Sequence, residues 1–170
     1  MAGITRRELG GLSANVLGAI TFPGMPSAAE SAGRRNTGEP PMDIQRHVVI
    51  GPSSGKPFTS VAPIISYATV RDGLVYLAGI TADPERLGDV KEQTSQVLAR
   101  IDGLLKIAGT DKSRLLSSQV WLTDMSLFVA HNEIWNGWVD ATSPPTRACL
   151  HSPQLWHPGM LVEIMVTAAK

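Results

Sequence analysis

Two short strand patterns near the carboxyl terminus restrict the fold of this chain more than any other stretch. The first covers residues 144–150 and begins with two prolines, and the second covers residues 160–164. Side chains alternate along a strand, so Arg147 and Cys149 point to one side of the first segment. We expect the two strands to face each other across the intervening connection. An arginine, a thiol and a carboxylate would then converge near one hairpin.

The second strand pattern separates its carboxylate from its apolar residues. Val162, Ile164 and Val166 form one apolar face, and Glu163 stands on the opposite face. Taken singly, the arginine and the glutamate are more simply explained as ordinary strand residues at the surface. The cysteine is more simply explained as a small buried hydrophobe. Only their joint occurrence indicates a functional site.

The overall composition allows one domain and excludes several classes of function. A chain of 170 residues with 43% hydrophobic residues can build a single core. The 15 basic residues balance the 15 acidic ones, so no basic surface for nucleic acid is indicated. One cysteine excludes an internal disulfide and a Cys-based zinc site, and the histidines lack metal-ligand spacing. We predict no metal and no cofactor. No apolar run reaches the ~18 residues that a membrane helix needs.

The first 42 residues have the composition of an export leader and a linker rather than of the fold. Arg6 and Arg7 form a twin-arginine pair, a glycine-diluted apolar stretch follows, and small residues near Ala29 offer a cleavage site. We therefore predict twin-arginine export to the periplasm, with residues 43–170 as the mature domain. The alternative is a translation start at Met42 and a cytoplasmic protein.

The rest of the chain predicts strands and helices in the order β-β-β-α-β-α-β-β. Asp72-Gly73 is a strong hairpin turn signal. A helix is predicted to begin after Asp89, which can form a capping box with Glu92, and to end at Gly109. A second helix covers residues 127–139. Strand patterns cover residues 47–50, 66–71, 74–80, 115–122 and the two segments described above. This order indicates an α+β fold, a mixed β-sheet with two helices on one face.

The sheet face away from the helices is expected to be apolar. It carries Trp121, Leu161 and Met165. Such a face on a single-sheet protein is most simply explained as an oligomer interface. The alternative is that these are isolated exposed hydrophobes, which are common on protein surfaces.

Several short motifs occur in an order that resembles the RidA/YjgF family of enamine/imine deaminases. They are the run at residues 62–67, Leu77-Ala78-Gly79, Asn132 in the second helix, Pro145-Thr146-Arg147-Ala148-Cys149, and Val162-Glu163-Ile164. The resemblance covers residues 45–168, and the Pro-x-Arg-x-Cys element followed by Val-Glu-Ile is its most specific part. It implies a chorismate-mutase-like fold and a homotrimer with three sites, each between neighbouring subunits.

The resemblance also implies a role for each matching residue. Arg147 matches the arginine that grips the substrate carboxylate, and Glu163 matches the acidic residue that handles water and protons. Cys149 matches the cysteine whose backbone carbonyl helps to hold that water. The positions that line the pocket are matched by Tyr67, Gly79 and Asn132.

This sequence departs from the family pattern at three places. Ala78 stands where many members carry a hydroxyl residue, and Thr81 stands where a proline is common. The connection at residues 152–159 is longer than the usual turn by about one residue. Trp156 in that connection could narrow or extend the pocket. These departures affect the identity of the substrate more than the type of reaction.

The resemblance implies a hydrolase that converts reactive 2-enamino and 2-imino acids to 2-oxo acids and ammonia. The planar fork of arginine binds a carboxylate through two parallel hydrogen bonds. A partly buried glutamate has a raised pKa and can take a proton from water and return one to the leaving ammonia. Two alternatives stay open. One is a non-catalytic, small-carboxylate-binding or chaperone-like trimer, and the other is an endoribonuclease, which the neutral charge argues against.

Overall fold

The computed structural model describes residues 43–51 and 63–170, so the predicted leader at residues 1–42 lies outside the described residues. The described part is a mixed sheet with two helices, which confirms the predicted α+β class. The strands are β1 (Gln45–Ile50), β2 (Ile65–Arg71), β3 (Leu74–Leu77), β4 (Ile80–Thr81), β5 (Leu115–Leu122), β6 (Thr146–His151) and β7 (Val162–Ala169). The helices are α1 (Val90–Ala108) and α2 (Phe128–Trp138). Neither helix is long and apolar enough to cross a membrane.

Helix α1 begins and ends where its sequence predicts. The Asp89 side chain accepts hydrogen bonds from the backbone N–H groups of Lys91 (2.8 Å) and Glu92 (2.9 Å). The Glu92 carboxylate in turn accepts from the Asp89 N–H at 3.2 Å, which completes the capping box. Gly109 ends the helix at φ 85°, a left-handed conformation that favours glycine. The apolar face of α1 is buried against the sheet.

The hairpin between β2 and β3 also follows the prediction, but the strand after it is shorter than expected. Asp72 and Gly73 have φ values of 51° and 75°, as a tight hairpin turn requires. The sequence predicted one strand over residues 74–80. The structure divides it into β3 and β4, which both pair with β7. Gly79 lies directly before β4, where Thr81 is the ladder partner of Glu163.

The order of strands in the sheet corrects one expectation. The order is β1-β2-β3-β7-β5-β6, with β4 also paired to β7. Strand β6 therefore does not form a hairpin with β7, because β5 lies between them, parallel to β6 and antiparallel to β7. The connection from β6 to β7 carries the chain past β5, which pairs along both of its edges.

The two faces of the sheet differ in what covers them. Both helices lie on the face that carries the buried residues of β5 and β7, among them Val120, Ile164 and Val166. Helix α1 packs directly on the sheet, and α2 packs against α1. The other face keeps apolar side chains at least partly exposed, namely Tyr76 (44%), Leu150 (47%), Trp121 and Met165. The predicted placement of both helices on one face is correct.

Candidate functional site

Arg147 is a half-buried cation on the helix-covered face of the sheet. Its guanidinium carbon lies 4.9 Å from the centre of the Trp135 ring and 6.0 Å from the centre of the Phe128 ring, both on α2. A cation over aromatic rings is stabilised by their quadrupoles. Burial lowers the pKa of Arg147, which still remains fully protonated near neutral pH. No described carboxylate forms a salt bridge with it.

Several polar atoms on Arg147 and on the elements that flank it, β5 and α2, are buried without a hydrogen-bond partner among the described residues. They include the Nε and Nη2 atoms of Arg147 itself. Ser118 is the ladder neighbour of Arg147 on β5, and its Oγ belongs to the same set. The remaining members on α2 are His131 Nε2 and Asn132 Oδ1. Buried polar groups nearly always have partners, so this concentration of donors and acceptors marks a polar recess.

His131 is the most deeply buried member of this recess. Its side chain is fully enclosed, and its Nδ1 lies 3.0 Å from the hydroxyl oxygen of Thr94 on α1. The Thr94 hydroxyl donates to the carbonyl of Val90 at 2.6 Å. Burial, assisted by the charge of Arg147, lowers the pKa of His131 to about 4. The imidazole is therefore neutral at physiological pH.

Cys149 lies on the same face as Arg147, two residues further along β6. Its ladder partner is the buried Val120, and it packs against the core. Burial raises the pKa of the Cys149 thiol, and the positive charge of Arg147 only partly opposes this effect. The side chain is thus a thiol rather than a reactive thiolate, which agrees with a role for its backbone rather than its sulfur.

Glu163 lies on the opposite, uncovered face of the sheet. Its ladder partners are Trp121 on β5 and Thr81 on β4. A Cβ atom at Gly79 would collide with the Oε1 atom of Glu163, so only glycine leaves space for this carboxylate. Burial raises the pKa of Glu163, and no ion pair involving it occurs among the described residues.

Trp156 is hydrogen-bonded to the ladder partner of Glu163. Its indole N–H donates to the Thr81 hydroxyl at 3.1 Å, and Thr81 lies opposite Glu163 in the ladder. The ring is 66% exposed and meets His157 edge-on, with 5.4 Å between the ring centres. One hydrogen bond therefore joins two of the departures from the family pattern, Thr81 and the longer connection at residues 152–159.

The six predicted site residues separate into two groups. Arg147 and Cys149 lie on β6 and Asn132 on α2, on the helix-covered side. Glu163 lies on the other face beside Gly79, with Tyr67, whose carbonyl accepts from the Ala78 N–H at 3.0 Å. The expectation that one hairpin brings arginine, thiol and carboxylate together is therefore wrong for a single chain.

The ladder register gives the physical reason for this separation. Ser118 pairs with both Arg147 and Val166, so these three side chains share one face. Glu163 is three residues from Val166, and an odd separation along a strand reverses the face. The sequence showed the alternation within each strand but not the register between strands.

Some residues of the site were not identified from the sequence. His131 and Trp135 are four residues apart and therefore share a face of α2. The sequence placed them on a helix but gave no reason to connect them with Arg147. Ser118 appeared only as a strand residue. Among the described residues no group of three or more His, Cys, Asp or Glu side chains could hold a metal ion.

Comparisons with known proteins agree on one family. A family model described as Endoribonuclease L-PSP matches residues 58–170. A RutC family protein of Haemophilus influenzae is 36% identical over 104 residues, which cover 61% of this chain and 89% of the relative. The RutC family protein YoaB of Escherichia coli is 36% identical over 105 residues, with coverage of 61% and 89%.

Solved structures of similar proteins support the same relationship. A member of the YjgF protein family from Neisseria meningitidis has a TM-score of 0.64 and 35% sequence identity, covering 76% of this chain and 96% of that chain. A member of the YjgF/YER057c/UK114 family from Mycobacterium tuberculosis has a TM-score of 0.62 and 28% identity, covering 75% and 100%.

Proposed function

The chain belongs to the RidA/YjgF family, and from this premise we propose that it is a homotrimeric imine deaminase. Its substrates are 2-imino and 2-enamino acids, and its products are 2-oxo acids and ammonia. The observation that carries the proposal is a pair of ionisable groups of opposite sign, Arg147 and Glu163. Each is partly buried, and neither forms a salt bridge with any described residue.

The surroundings of Arg147 support the binding of a carboxylate. A partly buried cation without an anionic partner is costly, and a bound anion removes that cost. A carboxylate accepts two parallel hydrogen bonds from a guanidinium, which fixes its orientation as well as its position. The rings of Trp135 and Phe128 limit the movement of the guanidinium from the α2 side. A 2-imino acid held in this way presents its C=N carbon in a fixed direction.

Glu163 supports the proton transfers that the hydrolysis needs. Water attacks the C=N carbon, a C–O bond forms, and Glu163 takes the proton that the water loses. The carboxyl group returns this proton to the nitrogen as the C=N π bond opens, which gives a carbinolamine. Glu163 then takes the proton of the new hydroxyl group and delivers it to the nitrogen, the C–N bond breaks, and ammonia leaves as the carbonyl forms. Burial raises the pKa of Glu163, which moves the carboxyl group toward the range in which a group can both accept and release a proton. No electron transfer takes place at any step.

The positions of the two groups support assembly from several copies. Arg147 and Glu163 lie on opposite faces of one sheet, so one chain cannot present both to the same small substrate. Strand β6, which carries Arg147, is an edge strand, and the uncovered face around Glu163 is apolar. A neighbouring copy that covers this face would join its own Arg147 to Glu163. Closed symmetry is the usual outcome of such self-association.

A deamination assay and a mass measurement test the proposal together. An amino-acid oxidase generates 2-iminopropionate in situ, and the disappearance of the imine is followed with and without the protein. We expect faster hydrolysis, and light scattering at micromolar concentration should give the mass of a trimer. If the protein binds small carboxylates but accelerates no imine in a panel of amino-acid-derived substrates, the non-catalytic binding function replaces the enzyme. A monomer mass would contradict the shared site.

The description of the family model gives a second candidate function, RNA cleavage. The balance of 15 basic and 15 acidic residues gives little general attraction for a phosphate backbone. Incubation of the protein with single-stranded RNA tests this candidate, with Arg147→Ala as the control for contaminating nuclease. We expect no cleavage that depends on Arg147.

A further inference from the structure

A fully buried histidine behind Arg147 has no part in the reaction proposed above. We propose that His131 is a positioning residue, whose Nε2 acts as a neutral acceptor for the inner edge of the Arg147 guanidinium and so leaves the outer edge free for a substrate carboxylate. The importance of this for binding rests on the proposed function. The proposed pairing of the two side chains does not.

The hydrogen bonds of Thr94 determine which nitrogen of His131 carries the proton. A carbonyl cannot donate, so the Thr94 hydroxyl must supply the hydrogen of its 2.6 Å bond to Val90. Its oxygen can then only accept from His131 Nδ1, which lies 3.0 Å away. Nδ1 is therefore protonated, and in a neutral ring Nε2 has a free lone pair and no hydrogen.

The buried environment keeps this imidazole neutral. The His131 side chain has no exposed surface, and burial is the main reason for its low pKa. Arg147, on β6, acts in the same direction, because a second positive charge beside a cation is unfavourable. His131 therefore approaches the arginine as an acceptor and not as a competing cation.

The unpartnered atoms on the two residues are complementary. His131 Nε2 needs a donor, while Arg147 Nε and Nη2 need acceptors, and none of them has a hydrogen-bond partner in the described part of the chain. Both side chains border the same ring, since Trp135 lies 6.4 Å from the His131 ring and 4.9 Å from the guanidinium carbon. Buried groups of this kind pair directly or through an ordered water.

A neutral acceptor serves a ligand-binding arginine better than a carboxylate would. An aspartate at this place would fix the guanidinium equally well but would neutralise the charge that attracts the substrate. An imidazole nitrogen orients the inner edge of the guanidinium and leaves its full positive charge available to the ligand. The Oγ of Ser118, the ladder neighbour of Arg147, is a neutral group of the same kind.

Two pairs of variants test the contact. His131→Leu removes the acceptor, whereas His131→Gln keeps a neutral acceptor near the same place. Thr94→Val removes the hydroxyl that fixes the tautomer, whereas Thr94→Ser keeps it. The first readout is the Nε–H signal of Arg147 in the full ¹⁵N-labelled protein without ligand, assigned by its loss in Arg147→Lys. The second readout is the affinity for pyruvate, measured by calorimetry.

We expect the Arg147 signal to shift and to exchange faster with water in His131→Leu and Thr94→Val, and to remain near its parental position in His131→Gln and Thr94→Ser. The dissociation constant of pyruvate should rise about tenfold in the first two variants, with kcat for 2-iminopropionate changed less than KM. An unchanged signal in both His131→Leu and Thr94→Val would overturn the proposal, as would a glutamine variant as impaired as the leucine variant.

With the two readouts, the role proposed for His131 and the proposed function can fail independently of each other. If the parent protein neither binds pyruvate nor hydrolyses imines, the proposed function fails, and the Arg147 signal still decides whether His131 holds the guanidinium. If His131→Leu does not fold, the Thr94→Val and Thr94→Ser pair decides in its place.

Discussion

The surroundings of Arg147 and of Glu163 differ although both groups are partly buried and lack an ionic partner among the described residues. Arg147 is half-buried beside two aromatic rings of α2 and neutral polar groups of α2 and β5. Glu163 lies over Gly79 on an uncovered face, where burial raises its pKa. The first environment restricts the orientation of the guanidinium, and the second favours proton transfer by the carboxyl group. Under the proposed function, one chain supplies two unlike half-sites, the Arg147 half-site and the Glu163 half-site, each completed by another copy.

The largest expected effect separates the chemistry of the two half-sites. Glu163→Gln keeps size and hydrogen bonding but cannot carry a proton, so turnover should fall by roughly 10²–10⁴-fold while pyruvate still binds. Arg147→Lys keeps the charge but loses the planar fork, so binding and turnover should both fall. Steady-state deamination and calorimetry measure these effects. A Glu163→Gln protein as fast as the parent would exclude the acid–base role.

The pH dependence of kcat/KM tests the acid–base role of Glu163 independently. Glu163 must be ionised to accept a proton, so kcat/KM should rise with pH through its pKa. Because burial raises that pKa, the acid limb should lie above the usual range for glutamate. The limb should be absent in Glu163→Gln. The control is the same profile for a variant away from the site, such as Gly103→Ala.

A mixing experiment tests whether the half-sites come from different copies. Arg147→Ala and Glu163→Gln should each have little activity, but a trimer assembled from both should contain sites in which the native arginine meets the native glutamate. Random assembly after joint refolding should restore about a quarter of the parental activity. Each variant refolded alone is the control. If trimers shown to contain both variants recover no activity, each site is formed by one chain.

A smaller effect is expected when a methyl group is added beside Glu163 and the rest of the site is unchanged. A methyl group at Gly79 would displace the Glu163 carboxylate, which is the flexible end of a side chain, so the fold should tolerate the change. Misplacement of the acid–base group should lower kcat by about 10–100-fold. Gly103→Ala is the matched control, since a Cβ there meets nothing within 4 Å. Equal activity in the two variants would show that the position of this carboxylate is unimportant.

The smallest expected effect concerns the size of the substrate. Trp156 borders the Glu163 half-site through its bond to Thr81, so Trp156→Ala should enlarge the rim. The ratio of kcat/KM for a bulky imino acid over 2-iminopropionate should rise by about tenfold or less. Thr81→Val, which removes only the acceptor, should shift the ratio in the same direction by less. A ratio unchanged in both variants would separate Trp156 from the substrate.

Much of the secondary structure was predictable from the sequence. Strand β5 begins and ends at the predicted residues, and α2 differs from its predicted range by one residue at each end. The motif containing Arg147 and Glu163 indicated the correct family. The role proposed for His131 was not predictable, because it depends on Thr94, 37 residues earlier in the chain, and on Arg147 in another strand.

The sequence by itself determined those features that depend on neighbouring residues. The capping box at Asp89, the turn at Asp72-Gly73 and the alternation along each strand all arise from interactions over a few positions. Only the tertiary structure decided that β5 lies between β6 and β7. Strand order and register depend on which apolar faces are buried together by distant parts of the chain. That choice places Arg147 and Glu163 on opposite faces of the sheet, although each strand alone is compatible with either arrangement.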